Sequence, residues 1–254
     1  MTLRVRWLGH ASLVLDLGGV RILTDPLLRP HAHLLRRRGG PPAREHWADP
    51  AAVVVSHLHH DHAELASLRR LAGTPVLAAP VNARWLRAKD VTGVGLADDE
   101  WWDVPGSDVR VRPVPADHGH RPMPHRPNAA CGFVIATPTT RVWFAGDTAP
   151  YAAMAHLPEM AGGPIDLALV PVGGWGPRLS GGHMDPFQAA RVCAVVGAAA
   201  AVPVHWGTLH TPISRSLPPG WMDVGGPAFA AAAAREAPAC EVHVLRPGGL
   251  LELA

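Results

Sequence analysis

The sequence predicts an α/β fold in which two β-sheets pack together with helices on the outside. Three observations carry this. Short apolar, β-branched runs recur through both halves of the chain, the pattern of strands buried on both faces. Segments of helical spacing follow several of them, such as "AELASLRRLA" after "AAVVVS" and "VNARWLRA" after "PVLAAP". A strongly capped helix, "DPFQAARVCAVVGA", lies between the buried strands "DLALVPV" and "AAAVPV". Strands interleaved with helices favour layered α/β architectures.

In order along the chain, "LRVRWLGHASLVLDLGG" and "VRILTDPLL" alternate about Gly18-Gly19 and predict a hairpin. Residues 29–50 carry many breakers and no period, which predicts a long loop; loops of that length often serve binding. Strands are expected at "AAVVVS" (51–56), "PVLAAP" (75–80) and "DVRVRPVPA" (108–116). "CGFVIAT" and "RVWFAG" form an expected strand pair around Pro138-Thr139. In the capped helix Asp185 is the N-cap, Pro186 takes the first helical position and Gln188 caps reciprocally. A second Pro/Gly-rich loop spans 211–227, "PAFAAAAAREA" is the last helix, and "CEVHVLRPGGLLELA" is expected to close as a hairpin. A single domain over 1–254 is expected, with 29–50 and 211–227 as substrate loops.

The composition narrows the function. The 254 residues are 48% hydrophobic, which suits a globular chain with a substantial core. Lys and Arg total 23 against 21 Asp and Glu. This near balance, with scattered basic residues, argues against a nucleic-acid partner. The one dense run, Arg36-Arg37-Arg38, reads as a solvated loop. Cys131, Cys193 and Cys240 are odd in number and far apart, so a disulfide framework is not expected and a reducing compartment is. No apolar run reaches the roughly 20 residues of a membrane span, and the first residues do not read as a signal peptide. The expected location is cytoplasmic, without membrane insertion. Homo-oligomerisation is left open.

The chemistry concentrates in "SHLHHDH", Ser56 to His62. His57 and His59 are two apart at a strand end, so both imidazoles face one way and can reach one metal ion. Asp61 and His62 follow where the chain turns toward a helix and can aim at a neighbouring point. The spacing reads as parts of two metal sites, with His60 as a spacer. Imidazole and carboxylate suit zinc, and also manganese or iron. Asp61 with Glu64 also fits a helix capping box, and any one of these histidines alone would be an ordinary polar residue. Further candidate ligands stand where apolar strands stop: His118, Asp147 and His205. Asp25, in "TDP", is similarly placed and also fits a capped bend.

This set, in this order, resembles the metallo-β-lactamase-fold hydrolases across almost the whole chain. The resemblance implies an αββα sandwich of two mixed sheets flanked by helices, with two divalent ions at one edge. By that likeness His57, His59 and His118 would hold one ion, and Asp61, His62 and His205 the other. Asp147 would bridge them and Asp25 would support the site from behind. The opening "WLGHASLVLDLGGVRILTDPLL" resembles the branch containing L-ascorbate-6-phosphate lactonase and N-acyl-phosphatidylethanolamine-hydrolysing phospholipase D, and "WWDV" (101–104), "PADHGHR", "FAGDT", "DLALVPVGGWGPR", "GGHMDPFQAARV" and "VHWGT" look more like the latter. The chain lacks the phospholipase's long N-terminal extension and any obvious apolar segment for docking to a membrane. A small-molecule substrate is therefore expected over a membrane phospholipid.

The expected activity is hydrolysis by a metal-bridging hydroxide, since bound metal brings the pKa of water toward neutrality. A small-molecule phosphodiester or phosphorylated ester is the first substrate reading. A lactone or another ester or amide is the second, and a non-hydrolytic biosynthetic reaction on the same scaffold the third. Asp61 and His183 are the catalytic candidates. His183, in "SGGHMDP", matches an active-site histidine of the branch and also fits a loop histidine beside a helix cap. His10, His120, Trp175 and Trp206 are candidate substrate-binding residues, although nine tryptophans make core roles common.

Overall fold

Leu3, Val5 and Trp7 are buried while Arg4 is exposed and Arg6 half-buried. This period of two makes Leu3–Gly9 a strand, β1. The computed structural model describes residues 2–119 and 125–253. After β1 come β2 (Ser12–Leu17), β3 (Val20–Thr24), β4 (His31–Ala32), β5 (Leu35–Arg37), β6 (Ala52–Val54), α1 (Leu65–Arg69), β7 (Val76–Ala78), α2 (Pro80–Arg87), β8 (Gly93–Gly95), β9 (Trp102–Asp103) and β10 (Arg110–Pro115). The second half holds β11 (Cys131–Ala136), β12 (Arg141–Phe144), α3 (Leu157–Ala161), β13 (Leu167–Pro171), α4 (Pro186–Val196), β14 (Ala200–Val204), β15 (Leu209–His210), α5 (Gly225–Glu236), β16 (Glu241–Val242) and β17 (Leu250–Leu253).

These strands form two seven-stranded mixed sheets, ordered β17-β1-β2-β3-β6-β7-β8 and β16-β14-β13-β12-β11-β10-β9, and a small sheet β15-β5-β4. Leu13, Leu15, Ile22 and Val54 of the first large sheet share one core with Phe133, Ile135, Phe144 and Leu169 of the second. On the outer face of the first sheet, Val53 and Val55 pack with Leu68 of α1 and Leu86 of α2. On the outer face of the second, Trp143 and Val170 pack with Cys193 of α4 and Phe229 of α5. Helix, sheet, sheet, helix is the expected αββα sandwich.

The capping box of α4 forms as its sequence predicts. Asp185 accepts from the Gln188 N–H, and the Gln188 side chain accepts from the Asp185 N–H. Four expectations are corrected. The opening "LRVRWLGHASLVLDLGG" is two antiparallel strands, because the chain reverses at Gly9 and His10, both at positive φ. Residues 29–50 are not wholly loop: they contain β4 and β5, and Leu209 and His210 pair with Arg37 and Arg36. Residues 211–227 likewise hold a short 3-10 turn, Trp221–Asp223, and the start of α5. The closing segment is no hairpin: β16 pairs with β14 in one large sheet and β17 with β1 in the other. Alternation marks both strands, but nothing local distinguishes a hairpin from a crossover between layers. Among the described residues no helix is long and apolar enough to cross a membrane.

Candidate metal centre

The site lies where strands of both sheets end on one edge. The segment after β6 carries His57, His59, Asp61 and His62, and Asp25 follows β3, which runs parallel to β6. His118, Asp147 and His205 follow β10, β12 and β14. Glu64, not Asp61, caps α1, accepting from the N–H groups of Ala66 and Ser67. Asp61 is thereby left free to face the cluster.

Two groups of donors converge there. His57 Nε2 and His118 Nε2 lie 2.8 and 3.1 Å from His59 Nδ1. His62 Nε2 and His205 Nε2 are 3.1 Å apart, and Asp61 Oδ2 lies 3.6 and 3.8 Å from them. Asp147 stands between the groups. Its Oδ2 is 3.2 Å from His62 Nε2, 3.2 Å from His183 Nε2 and 3.9 Å from His57 Nε2, and its Oδ1 is 3.2 Å from His205 Nε2.

Behind the donors, oxygen acceptors fix the outer nitrogens. His62 Nδ1 donates to Asp25 Oδ2 (2.7 Å), His118 Nδ1 to Gly182 O (2.8 Å) and His205 Nδ1 to Gly173 O (2.9 Å). Ser56 Oγ donates to Asp25 Oδ2 (2.6 Å) and accepts from His57 Nδ1 (3.0 Å). A proton held on the outer nitrogen leaves a lone pair on the inner one. His59 differs: its outer Nε2 faces the Asn128 amide nitrogen at 3.0 Å, and the Asn128 oxygen accepts from Leu58 N–H.

The backbone is shaped to this end. His10, Asp25 and His205 hold positive φ of 55, 33 and 62°, conformations that side-chain-bearing residues seldom adopt without a compensating framework. That framework is visible: His205 N–H donates to His10 O, Asp25 N–H to Val54 O, and His10 N–H to Thr208 Oγ1. Two glycines permit close approach. A Cβ on Gly146 (φ 62°) would sit 2.7 Å from Ser56 Cβ, and one on Gly182 (φ 75°) 2.4 Å from His118 O. These contacts bring Asp147 beside His57, and the His183 loop against His118.

The electrostatics suit cations. Burial would raise Asp61, but His62 and His10 hold it well below the usual carboxylate range. Burial likewise opposes Asp147, which His205 and His62 bring well down. Burial and the neighbouring His62 push His57 well below the ordinary imidazole value. His62 moves up despite its burial, because Asp147, Asp61 and Asp25 surround it. A positive ion placed among these inner nitrogens and the Asp61 and Asp147 carboxylates would draw on several of them at once. The buried Asp147 Oδ1 also has no hydrogen-bond partner among the described residues. The donor set therefore fits a metal cation, which His57, His59 and His118 could hold on one side and Asp61, His62 and His205 on the other.

A cavity of about 300 Å³ opens over the site, with Asp61, Asp147, His183 and Trp175 in its walls together with His33 and Leu34 of the β4–β5 hairpin. His60 stacks on His33 (4.8 Å) and belongs to neither donor group. His10 does not line this cavity. It is fully buried, its Nε2 lies 2.9 Å from Asp61 Oδ2, and burial beside His205 lowers its pKa to about 3. Trp206 also faces elsewhere, stacked on Trp7 in a separate cleft. His10 sits in the β1–β2 turn and Trp206 in the β14–β15 loop, and neither lines this cavity, which sequence proximity to the motifs did not reveal. His120 lies outside the described residues. Sequence reasoning missed Ser56, Asn128 and Thr208. Ser56 alone carried a signal, its adjacency to the histidine run.

Residues 20–206 match the model of the beta-lactamase superfamily domain. The chain belongs to this family. It is 29% identical to a metal-dependent hydrolase of Thermococcus onnurineus over 98% of this chain and 99% of that one. It is 28% identical to an N-acyl-phosphatidylethanolamine-hydrolyzing phospholipase D of Caenorhabditis elegans over 80% of this chain, which spans 63% of that protein. The solved structure of a metallo hydrolase from Ignicoccus hospitalis superposes with a TM-score of 0.77 at 21% identity, covering 100% of this chain and 99% of its own. That likeness establishes the metallo-β-lactamase fold. The protein is a metal-dependent hydrolase of this superfamily.

Proposed function

We propose that this hydrolase binds two divalent ions, zinc before manganese or iron, and cleaves a small-molecule phosphodiester or phosphorylated ester. The observation that carries this is Asp147, one carboxylate within 3.9 Å of imidazoles from both donor groups. Such ions, when bound, supply a water-derived nucleophile at neutral pH and offset charge on the attacked group. The protein's own groups do the rest. His10 and Asp25 hold Asp61 and His62 in position from behind. Asp61 reaches the cavity and is placed to accept a proton from the attacking water. His183 reaches it from the opposite side, its Nε2 at Asp147 and its Nδ1 anchored on Ser180 O at 3.0 Å. That position suits binding the substrate or protonating its leaving oxygen. A His183→Ala variant retaining full metal and full kcat would reject this role.

A second reading, a lactone or other neutral ester, is favoured by the cavity wall. Among its described residues are Leu34, 73% exposed, and Trp175, 45% exposed, but no lysine or arginine that would pair with a further phosphate. Assay of the metal-loaded enzyme with bis-p-nitrophenyl phosphate and with a lactone panel separates the two. Turnover of lactones alone overturns the phosphodiester reading.

A further inference from the structure

The Arg36-Arg37-Arg38 run does not behave as a solvated loop. The alternation of β5 exposes Arg36 and turns Arg37 inward, where it keeps 9% of its surface, and Arg38 is exposed again. Arg37 Nη1 donates to Leu27 O at 3.0 Å, and Nη2 occupies space beside Gly9, 2.7 Å from where a Cβ would stand. Among the described residues no carboxylate pairs with it. Burial lowers its pKa to about 10 with no facing charge to offset the effect. A buried guanidinium without a counter-charge is costly to maintain.

Arg37 forms part of the wall of a cleft of about 930 Å³, separate from the cavity over the metal centre and sharing no lining residue with it. The other charged or titratable side chains in its walls are Arg38, Arg246, His46 and Asp223. Asp223 is already paired with Arg38 at 2.6 Å, so the remaining charge on the walls is positive. Trp7 and Trp206 stack beneath (5.5 Å between centroids, 26° between planes), and both indole N–H groups are spent on the backbone, at His10 O and Pro203 O. Trp7 is 1% exposed, so the half-buried Trp206, backed by Trp7 and by the Gly225-Gly226 backbone, is the indole that meets the cleft. Met222 and Val244 add apolar wall.

We propose that this cleft binds a small monoanionic organic ligand, its carboxylate-type head on Arg37 and its flat apolar body against Trp206. One buried guanidinium offsets one charge, and the apolar wall of Trp206, Met222 and Val244 suits a flat hydrophobic body. The site is distinct from the metal centre, although Trp206 directly follows His205 in the chain.

Isothermal titration of the zinc-loaded full chain with 2-naphthoate and its neutral isostere 2-naphthamide tests the proposal. Naphthoate is expected to bind one per chain, at least about tenfold more tightly than the amide, since losing one partner of a buried charge pair costs that much or more. Arg37→Gln should remove the preference for the anion and leave amide binding unchanged. Should that variant fold poorly, two exposed positions carry the test. Arg246→Gln should weaken naphthoate alone, and Val244→Trp, which fills the cleft from its rim, should weaken both probes. A metal-site variant, His59→Ala, should bind naphthoate as the parent does. The proposal is overturned if naphthoate does not bind, if it binds no better than the amide, if it is insensitive to all three cleft variants, or if it is lost with His59→Ala.

Discussion

His62 Nδ1–H donates to Asp25 Oδ2 across 2.7 Å, with both side chains fully buried. Asp25 also accepts from the Ser56 backbone N–H and hydroxyl. It therefore orients imidazoles of both donor groups, His62 directly and His57 through Ser56. Replacing Asp25 by Ala should lower metal affinity by about 10–100-fold, the usual cost of losing an outer partner of a metal ligand. Competition with a chelator measures this. An unchanged midpoint would show that Asp25 is not needed to hold the ligands.

His59 and His60 are neighbours with different fates. His59 Nδ1 lies within 3.1 Å of two other imidazoles, whereas His60 stacks on His33 at the rim. His59→Ala should lose metal from one group of donors, and His60→Ala should keep it. Elemental analysis of the two purified variants decides. Equal loss from both would mean that His60 takes part in binding.

At Gly182 a methyl group would collide with the His118 carbonyl at 2.4 Å, on a backbone at φ 75°. Gly182→Ala should destabilise by about 1–3 kcal/mol and displace the loop that carries His183. Thermal unfolding and kcat of the metal-loaded enzyme should fall together. Gly197→Ala, also at positive φ but with open space about it, should cost stability while sparing kcat.

The three thiols differ. Burial, with Asp25 next, raises Cys131; a hydrogen bond with Cys240, then burial, raises Cys193; and that same hydrogen bond lowers Cys240, which is partly exposed. The thiolate is the reacting form. Iodoacetamide near pH 8 should therefore modify Cys240 first, its rate rising with pH and levelling off below the ordinary thiol value. Peptide mapping that finds Cys131 labelled first would contradict the structure.

Much of the candidate site is legible in the amino-acid sequence, because its candidate ligands come from residues whose spacing is itself geometric. His57 and His59 share a face of extended chain, and His118, Asp147 and His205 each stand just past an apolar run. The αββα layering is legible for the same reason: buried strands and capped helices are local patterns of period two and 3.6. Local pattern does not say that β16 and β17 join different sheets, since either pairing satisfies the same alternation. Nor does it place Asn128 against His59, 69 residues away, or keep His10 and Trp206 out of the cavity over the candidate site. It does not tell that Arg37 alone of three arginines is buried. Those outcomes depend on contacts between segments far apart in the chain. Such contacts are set by how two sheets and a hairpin meet, and no short window of sequence contains both partners.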